Sequence, residues 1–250
     1  MRRGELFVQY QPVVTLPNEL IAGFEALVRW QHPVHGLISP AEFIPVAEDA
    51  GVIHDIDLWV LRQACRATHE YVQSGQLYKL NVNLSTKNFL FADLVSKLRH
   101  ILKEERFPSE SLIIEVTESI LVEDFQTVST MMWELRAMGI LIAADDFGTG
   151  YSSLSYLHRL PFTSVKLDRS FVSSLEYAPA ILRSVLELAG QLGLSVVAEG
   201  VETARQAAVL AEMRCTFAQG YYFEKPLSEA GMHVRAEQRQ HMYLSRKPQG

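Results

Sequence analysis

Ile140-Leu141-Ile142-Ala143-Ala144-Asp145-Asp146-Phe147-Gly148-Thr149-Gly150 is an apolar run that ends in two adjacent carboxylates and a glycine-rich turn. An apolar run of this length bounded by glycines, with Gly139 ahead of it, reads as a buried strand. Like charges at neighbouring positions repel, and the usual relief is a raised pKa on one of them or a bound cation. The pair therefore raises the question of which other oxygen ligands converge on the end of this strand.

Working outward, strand-like segments span Leu6 to Val14, Leu20 to Val28, Lys79 to Leu84, Leu112 to Thr117, Ile140 to Asp145, Thr163 to Leu167, Leu194 to Ala198 and Cys215 to Ala218. After the second, nearly every gap carries a helical pattern. Gly51 and Gly75 read as helix stops, Gly139 and Gly193 separate a helix from the next strand, and Ser39-Pro40-Ala41-Glu42 reads as a capping box with Pro at the first helical position. Strand–helix alternation predicts a parallel sheet with helices outside, and eight such strands predict closure into a barrel. The first two strands depart from the pattern, because the connection around Leu16-Pro17-Asn18 is too short for a parallel crossover and requires an antiparallel hairpin. The expected fold class is α/β, an irregular TIM-like (β/α)8 barrel with its first strand antiparallel. One domain is expected over residues 1–250, with a core at about 6–227, a C-terminal helix and tail at 228–250, and fraying from Ser245 onward.

Length and composition permit this. A chain of 250 residues with 48% hydrophobic residues suits a single large barrel. A net charge of −6 without a basic stripe argues against generic nucleic-acid binding, so a phosphate ligand would need a local site. Cys65 and Cys215 lack the spacing of a zinc site or a disulfide framework and read as core residues. No apolar run approaches the length of a membrane span, so no membrane contact is expected of this segment, and the cytoplasm is the expected location, with the cytoplasmic part of a membrane-anchored parent as the alternative.

Polar residues fall at the C-terminal ends of successive strands: Glu25, Asn83, Glu115, Asp145, Lys166, Glu199 and Gln219. In a barrel those ends form one rim, where active sites are built from several strands. Carboxylates with an amide oxygen, and no thiolate or histidine, suit a hard cation such as Mg²⁺ or Mn²⁺. Adjacent aspartates allow one to bridge two ions while the other binds the second, an arrangement that activates water and neutralises a phosphoryl centre. Taken singly, each residue has a plainer explanation: a solvated carboxylate, a snorkelling lysine, a turn asparagine. Those explanations would all have to hold independently on consecutive strands.

Several of these residues lie in stretches that resemble the EAL-domain cyclic di-GMP phosphodiesterases. They are Gly23-Phe24-Glu25-Ala26-Leu27-Val28-Arg29-Trp30, Pro40-Ala41-Glu42-Phe43-Ile44-Pro45, Asn81-Val82-Asn83-Leu84-Ser85, Glu115-Val116-Thr117-Glu118, the Asp145 to Gly150 loop, Lys166-Leu167-Asp168, Glu199-Gly200-Val201-Glu202 and Gln219-Gly220-Tyr221. The resemblance runs from about Leu6 to Leu227. It implies metal-dependent hydrolysis of one phosphodiester bond of cyclic di-GMP to linear pGpG, with two divalent ions, Mg²⁺ or Mn²⁺. It implies that Glu25, Asn83, Glu115 and Asp145 hold the first ion, and that Asp145, Asp146 and Glu199 hold or face the second. Lys166 and Glu199 would position and deprotonate the attacking water, and Glu202 would assist. Gln11, Leu27, Arg29, Gln219 and Tyr221 match positions that contact the nucleotide, and Glu118 matches the residue that anchors the loop starting at Asp146. A homodimer is expected by the same resemblance, with apolar Tyr151, Leu154, Tyr156 and Leu157 near the contact, and a longer parent with an upstream sensor or cyclase domain is compatible with it. The alternative is a catalytically silent module that binds cyclic di-GMP as a receptor. A hydrolase of another phosphodiester, such as a linear dinucleotide, is a further rival.

Overall fold

The computed structural model describes residues 4–73, 79–117, 125–148, 157, 159–175 and 177–246. β1 (Leu6–Thr15) and β2 (Leu20–His32) form the expected antiparallel hairpin, with Gln11 opposite Glu25. β2 runs four residues past the expected Val28, because its outer end is paired on both sides: Leu6 of β1 lies opposite Trp30, and the short β3 (Gly36–Ile38) places Ile38 opposite the same residue. From β2 the sheet continues in parallel through β4 (Lys79–Asn83), β5 (Leu112–Thr117), β6 (Leu141–Phe147), β7 (Ser164–Leu167), β8 (Ser195–Ala198) and β9 (Phe217–Ala218). β9 returns antiparallel onto β1 and closes the ring. The barrel thus has eight members, β3 lies outside it, and β1 is antiparallel to both neighbours.

Among the described residues the α-helices are α1 (Pro40–Asp49), α2 (Ile53–Gln73), α3 (Leu94–Glu104), α4 (Phe125–Ala137), α5 (Arg169–Ser173), α6 (Pro179–Gln191), α7 (Ala204–Glu212) and α8 (Glu229–Arg246). Alternation along the strands separates two interiors. Leu80 and Val82 of β4, Leu112, Ile114 and Val116 of β5, and Ile142 of β6 pack outward in one apolar cluster with Leu61, Ala64 and Cys65 of α2. A second cluster gathers Val165 and Leu167 of β7, Val196 and Ala198 of β8, Leu182 of α6 and Leu210 of α7. The opposite set, including Glu25, Glu115, Asp145 and Lys166, therefore points into the barrel.

Three local expectations are corrected. Ser39 precedes α1 with Pro40 in its first turn, but its side chain makes no capping bond. Its carbonyl is used instead, accepting from the N–H groups of Glu42 and Phe43 at 2.9 and 3.2 Å. Cys215 is buried as expected but precedes β9, which is only two residues long, and Thr216 is exposed. The C-terminal helix continues through Ser245 to Arg246, and its Met232 and Ala236 are fully buried in the first cluster. Cys65 is buried in α2, and Gly51, Gly139 and Gly193 each lie just past a helix, as the sequence predicts.

Candidate active site

The inward residues at the C-terminal strand ends form a ring around one cation. Lys166 of β7 is 1% exposed. Its Nζ lies 2.8 Å from Glu115 Oε2, 2.8 Å from Glu199 Oε1, 3.3 Å from Asp145 Oδ1 and 3.4 Å from Glu25 Oε1. Glu25 is held from two further directions: Asn83 Nδ2 and Gln219 Nε2 each donate to one of its carboxylate oxygens at 2.7 Å. Gln219 Nε2 also donates to Gln11 Oε1 at 3.1 Å, and Gln11 Nε2 donates to the Glu224 carbonyl. The sheet register makes this possible, because it sets Asn83 opposite Glu115 and Gln11 opposite Glu25. Asn83 thus braces Glu25 across the strands; the turn after β4 is capped by Ser85, whose Oγ accepts from Lys87 N.

The charges in the ring do not balance. Burial opposes the charge on Lys166, but Glu115, Glu199, Glu25 and Asp145 outweigh it and hold the ammonium protonated well above the usual lysine range. Burial likewise opposes ionisation of Glu25, yet Lys166 and the donors Gln219 and Asn83 bring its carboxyl below the ordinary value. For Glu115, burial and the neighbouring Glu25 push the carboxyl well up. Burial also pushes Glu199 up to about 7, a value suited to a group that exchanges a proton near neutrality. Burial, then Asp145, raises Asp146.

This excess of negative charge is what a divalent cation would relieve. Ligand atoms of Asp145, Asp146 and Glu199 all lie within 4.8 Å of one another. Glu115 Oε1 and Asp145 Oδ1 are buried without a hydrogen-bond partner, the latter near Lys166 Nζ but outside bonding geometry. Two orphaned carboxylate oxygens beside an all-oxygen donor set fit Mg²⁺ or Mn²⁺.

An EAL domain family profile matches residues 1–226 of the sequence. The chain belongs to the EAL domain family. The bifunctional diguanylate cyclase/cyclic di-GMP phosphodiesterase MucR of Pseudomonas aeruginosa is 42% identical to this EAL domain over 231 residues, 91% of the chain and 34% of MucR. The cyclic di-GMP phosphodiesterase NbdA of the same organism is 40% identical over 236 residues, 93% of the chain and 30% of NbdA. The chain therefore spans about a third of the length of the curated relatives it matches. A solved structure of the PaMucR phosphodiesterase in complex with c-di-GMP superposes with a TM-score of 0.87 at 41% identity, covering 92% of this chain and 95% of that one.

Beside the ring, the EAL domain has a cavity of about 340 Å³ whose lining includes Leu27, Arg29, Glu48 and Ser85 together with Asn83 and Glu115 of the ring. Arg29 is oriented there by Nε donating to Gln9 Oε1 at 2.8 Å. Tyr221, two residues after Gln219, is 61% exposed, with Lys225 Nζ 5.5 Å from its ring centre. Glu202 is exposed; its backbone N–H donates to Gln206 Oε1, which fixes the turn into α7, and among the described residues no hydrogen bond or ion pair joins its carboxylate to the ring. Glu118 and the apolar Tyr151, Leu154 and Tyr156 lie outside the described residues, while Leu157 packs on the second apolar cluster.

Sequence reasoning missed the polar network that supports the turn after β4. Asp57 Oδ2 accepts from Ser85 N at 2.9 Å and from Asn88 Nδ2 at 2.7 Å. Ser85 Oγ donates to Glu48 Oε1, and Asn88 Oδ1 lies 2.6 Å from His54 Nδ1. These bonds tie α1 and α2 to the segment just after Asn83. One signal was present: Asp57 occupies the apolar stripe of α2 between Ile53 and Val60, where a carboxylate needs a buried partner.

Proposed function

We propose that this EAL domain hydrolyses one phosphodiester bond of cyclic di-GMP to linear pGpG with the help of two Mg²⁺ or Mn²⁺ ions. The observation that carries the reading is the buried Lys166 ammonium held against Glu115 and Glu199 within an acidic ring in which Glu115 Oε1 and Asp145 Oδ1 accept no hydrogen bond. The names of the relatives and the cyclic di-GMP complex of a structure with 41% identity support the substrate. Glu25, Asn83, Glu115 and Asp145 would hold the first ion, and Asp145, Asp146 and Glu199 the second. When bound, such ions lower the pKa of water and neutralise charge on the phosphoryl group.

The chain's own groups would do the rest. The Glu199 carboxylate takes a proton from the attacking water as the bond from phosphorus to the 3′ oxygen breaks, and that proton ends on the departing 3′ hydroxyl; Lys166 Nζ donates to the water or to a phosphate oxygen. Gln219 and Asn83 keep Glu25 in one rotamer, so the donor set is organised before substrate arrives. Arg29 is aimed at a phosphate or base by Gln9, and Leu27, Gln11, Gln219 and Tyr221 make the remaining nucleotide contacts. Glu202 assists from outside the ring, and Glu118 anchors the loop after Asp146.

A receptor that bound cyclic di-GMP without turnover would need the nucleotide pocket but not Lys166 and Glu199 in contact. Product analysis with Mg²⁺, with EDTA and in Glu25→Ala decides the matter. The expected result is pGpG only in the wild type with metal; unchanged turnover in the other two arms would sink the mechanism, and binding without product in the first would favour the receptor. We further propose that the whole chain acts as one domain, in the cytoplasm, as a homodimer and as part of a longer protein. Specific activity followed against concentration beside mass measurement tests the dimer, and activity that ignores the monomer–dimer transition would exclude its control of the rate.

A further inference from the structure

Asp146 and Glu199, the acids facing the second ion, are each followed closely by a glycine with left-handed backbone: Gly148 at φ 96° and Gly200 at φ 68°. Both glycines are approached by the same helix, α5, which begins three residues after Lys166. A methyl group placed on Gly148 would lie 2.4 Å from both Cε2 and Cζ of Phe171. One placed on Gly200 would lie 2.4 Å from Cβ of Arg169 and 3.2 Å from its Cα. Side chains do not approach this closely, so the two backbones are seated directly on α5. The helix is itself fixed: Asp168 Oδ1 accepts from Ser170 N at 2.9 Å, and Val172 is buried with Phe147, Leu167 and Val201 in the second apolar cluster. Asp146 has φ 54°, a conformation uncommon for a residue with a side chain, which persists where the surroundings enforce it.

We propose that Phe171 and the Cβ of Arg169 are positioning residues, a wedge that sets the separation of Asp146 from Glu199 and hence the affinity for the second ion. This rests on the two-ion reading above. Neither side chain touches the ion; each acts through the backbone directly behind an acid. Groups that orient metal ligands from outside typically change metal affinity 10- to 100-fold when removed.

The test is to count Mn²⁺ bound to the intact chain by the loss of free-ion paramagnetic resonance signal, without nucleotide, in wild type, Phe171→Ala, Phe171→Leu, Arg169→Ala, Arg169→Gly, Asp146→Ala and Val172→Ala. Phe171→Ala should weaken the second, Asp146-dependent ion about tenfold or more and leave the first unchanged, with partial recovery in Phe171→Leu. Because the contact at Gly200 is made by Cβ, Arg169→Ala should bind like wild type and Arg169→Gly should not. Arg169 is exposed, so this pair keeps the test open if Phe171→Ala does not fold. Val172→Ala trims the core side of the helix while the Asp168 cap and both wedge contacts remain, so it should lower the melting temperature without changing ion affinity. Wild-type affinity for both ions in Phe171→Ala and Arg169→Gly would overturn the proposal, as would equal weakening in Val172→Ala. A wild type with no Asp146-dependent ion would overturn the two-ion reading and the wedge together, a result distinct from the other two.

Discussion

Lys166 is almost wholly buried, and the fate of its charge decides the behaviour of the ring. Removing one partner of a buried ionic group leaves the others uncompensated, typically at a cost of about 3–5 kcal/mol. Lys166→Met should therefore destabilise the chain by about that amount in chelator, measured by urea unfolding. Mg²⁺ should restore much of the loss, because an ion bound only by the native state replaces the missing positive charge. Turnover should fall about 10²- to 10⁴-fold, the usual contribution of a proton-handling group. A loss of stability that metal leaves unchanged would mean that cations do not enter the ring. At this scale, the identities of most ring residues were legible because they stand at or near the point where an apolar strand meets a loop, whereas Glu25 lies in the middle of β2. Their pairings were not: that Asn83 donates to Glu25, or that Gln219 bridges Glu25 and Gln11, depends on cross-strand register, which no single segment encodes.

Among the elements, α2 carries the clearest pH dependence. Burial pushes the Asp57 carboxyl up to about 7 from the ordinary 3.8, against the pull of the Ser85 and Asn88 donors. The native state then holds a proton that the unfolded chain releases, so this group's contribution to stability is fully present below about pH 4 and is lost as pH rises through about 7. The slope reaches up to about 1.4 kcal/mol per pH unit in that window. Asp57→Asn can still accept from Ser85 N and Asn88 Nδ2 but cannot ionise. Measured by urea unfolding in chelator, it should gain stability relative to wild type between pH 4 and 7 and gain no more above that; a pH-independent difference would show that Asp57 does not titrate there. The helix itself was visible in the sequence by its apolar stripe. The role of its one acidic interruption was not, because the partners Ser85 and Asn88 come from another segment. The three-residue β3 was equally invisible, too short to show any periodicity and formed only because β2 offers it an edge.

For the whole molecule, closure was legible from two features: strand–helix alternation after Leu20, and a connection at Leu16-Pro17-Asn18 too short for a crossover. The docking of α8 was not, since a charged helix gives little sign of where its few apolar residues go. Met232 and Ala236 are buried against the first cluster, and Tyr71 Oη lies 2.6 Å from His233 Nδ1. Ending the chain after Leu227 should cost at least about 2 kcal/mol, the value of one fully buried methionine, and lower the melting temperature. Mn²⁺ affinity should remain, because the ring is built from strand ends that α8 does not supply; loss of both together would tie the ring to this helix.

The antiparallel β1 has a consequence for how such a barrel is wired into a larger protein. In a barrel of uniformly parallel strands, the chain enters at the floor, the end opposite the reacting groups. Here β1 runs the other way: Leu6 lies opposite Trp30, beyond Glu25 on β2, and Glu5 reaches the Trp30 indole at 3.0 Å. Any polypeptide joined ahead of Leu6 is delivered at the mouth of the barrel, on the side of Arg29 and the cavity beside the ring. An attached module needs no relay across the fold to obstruct that mouth; it is tethered at the doorway.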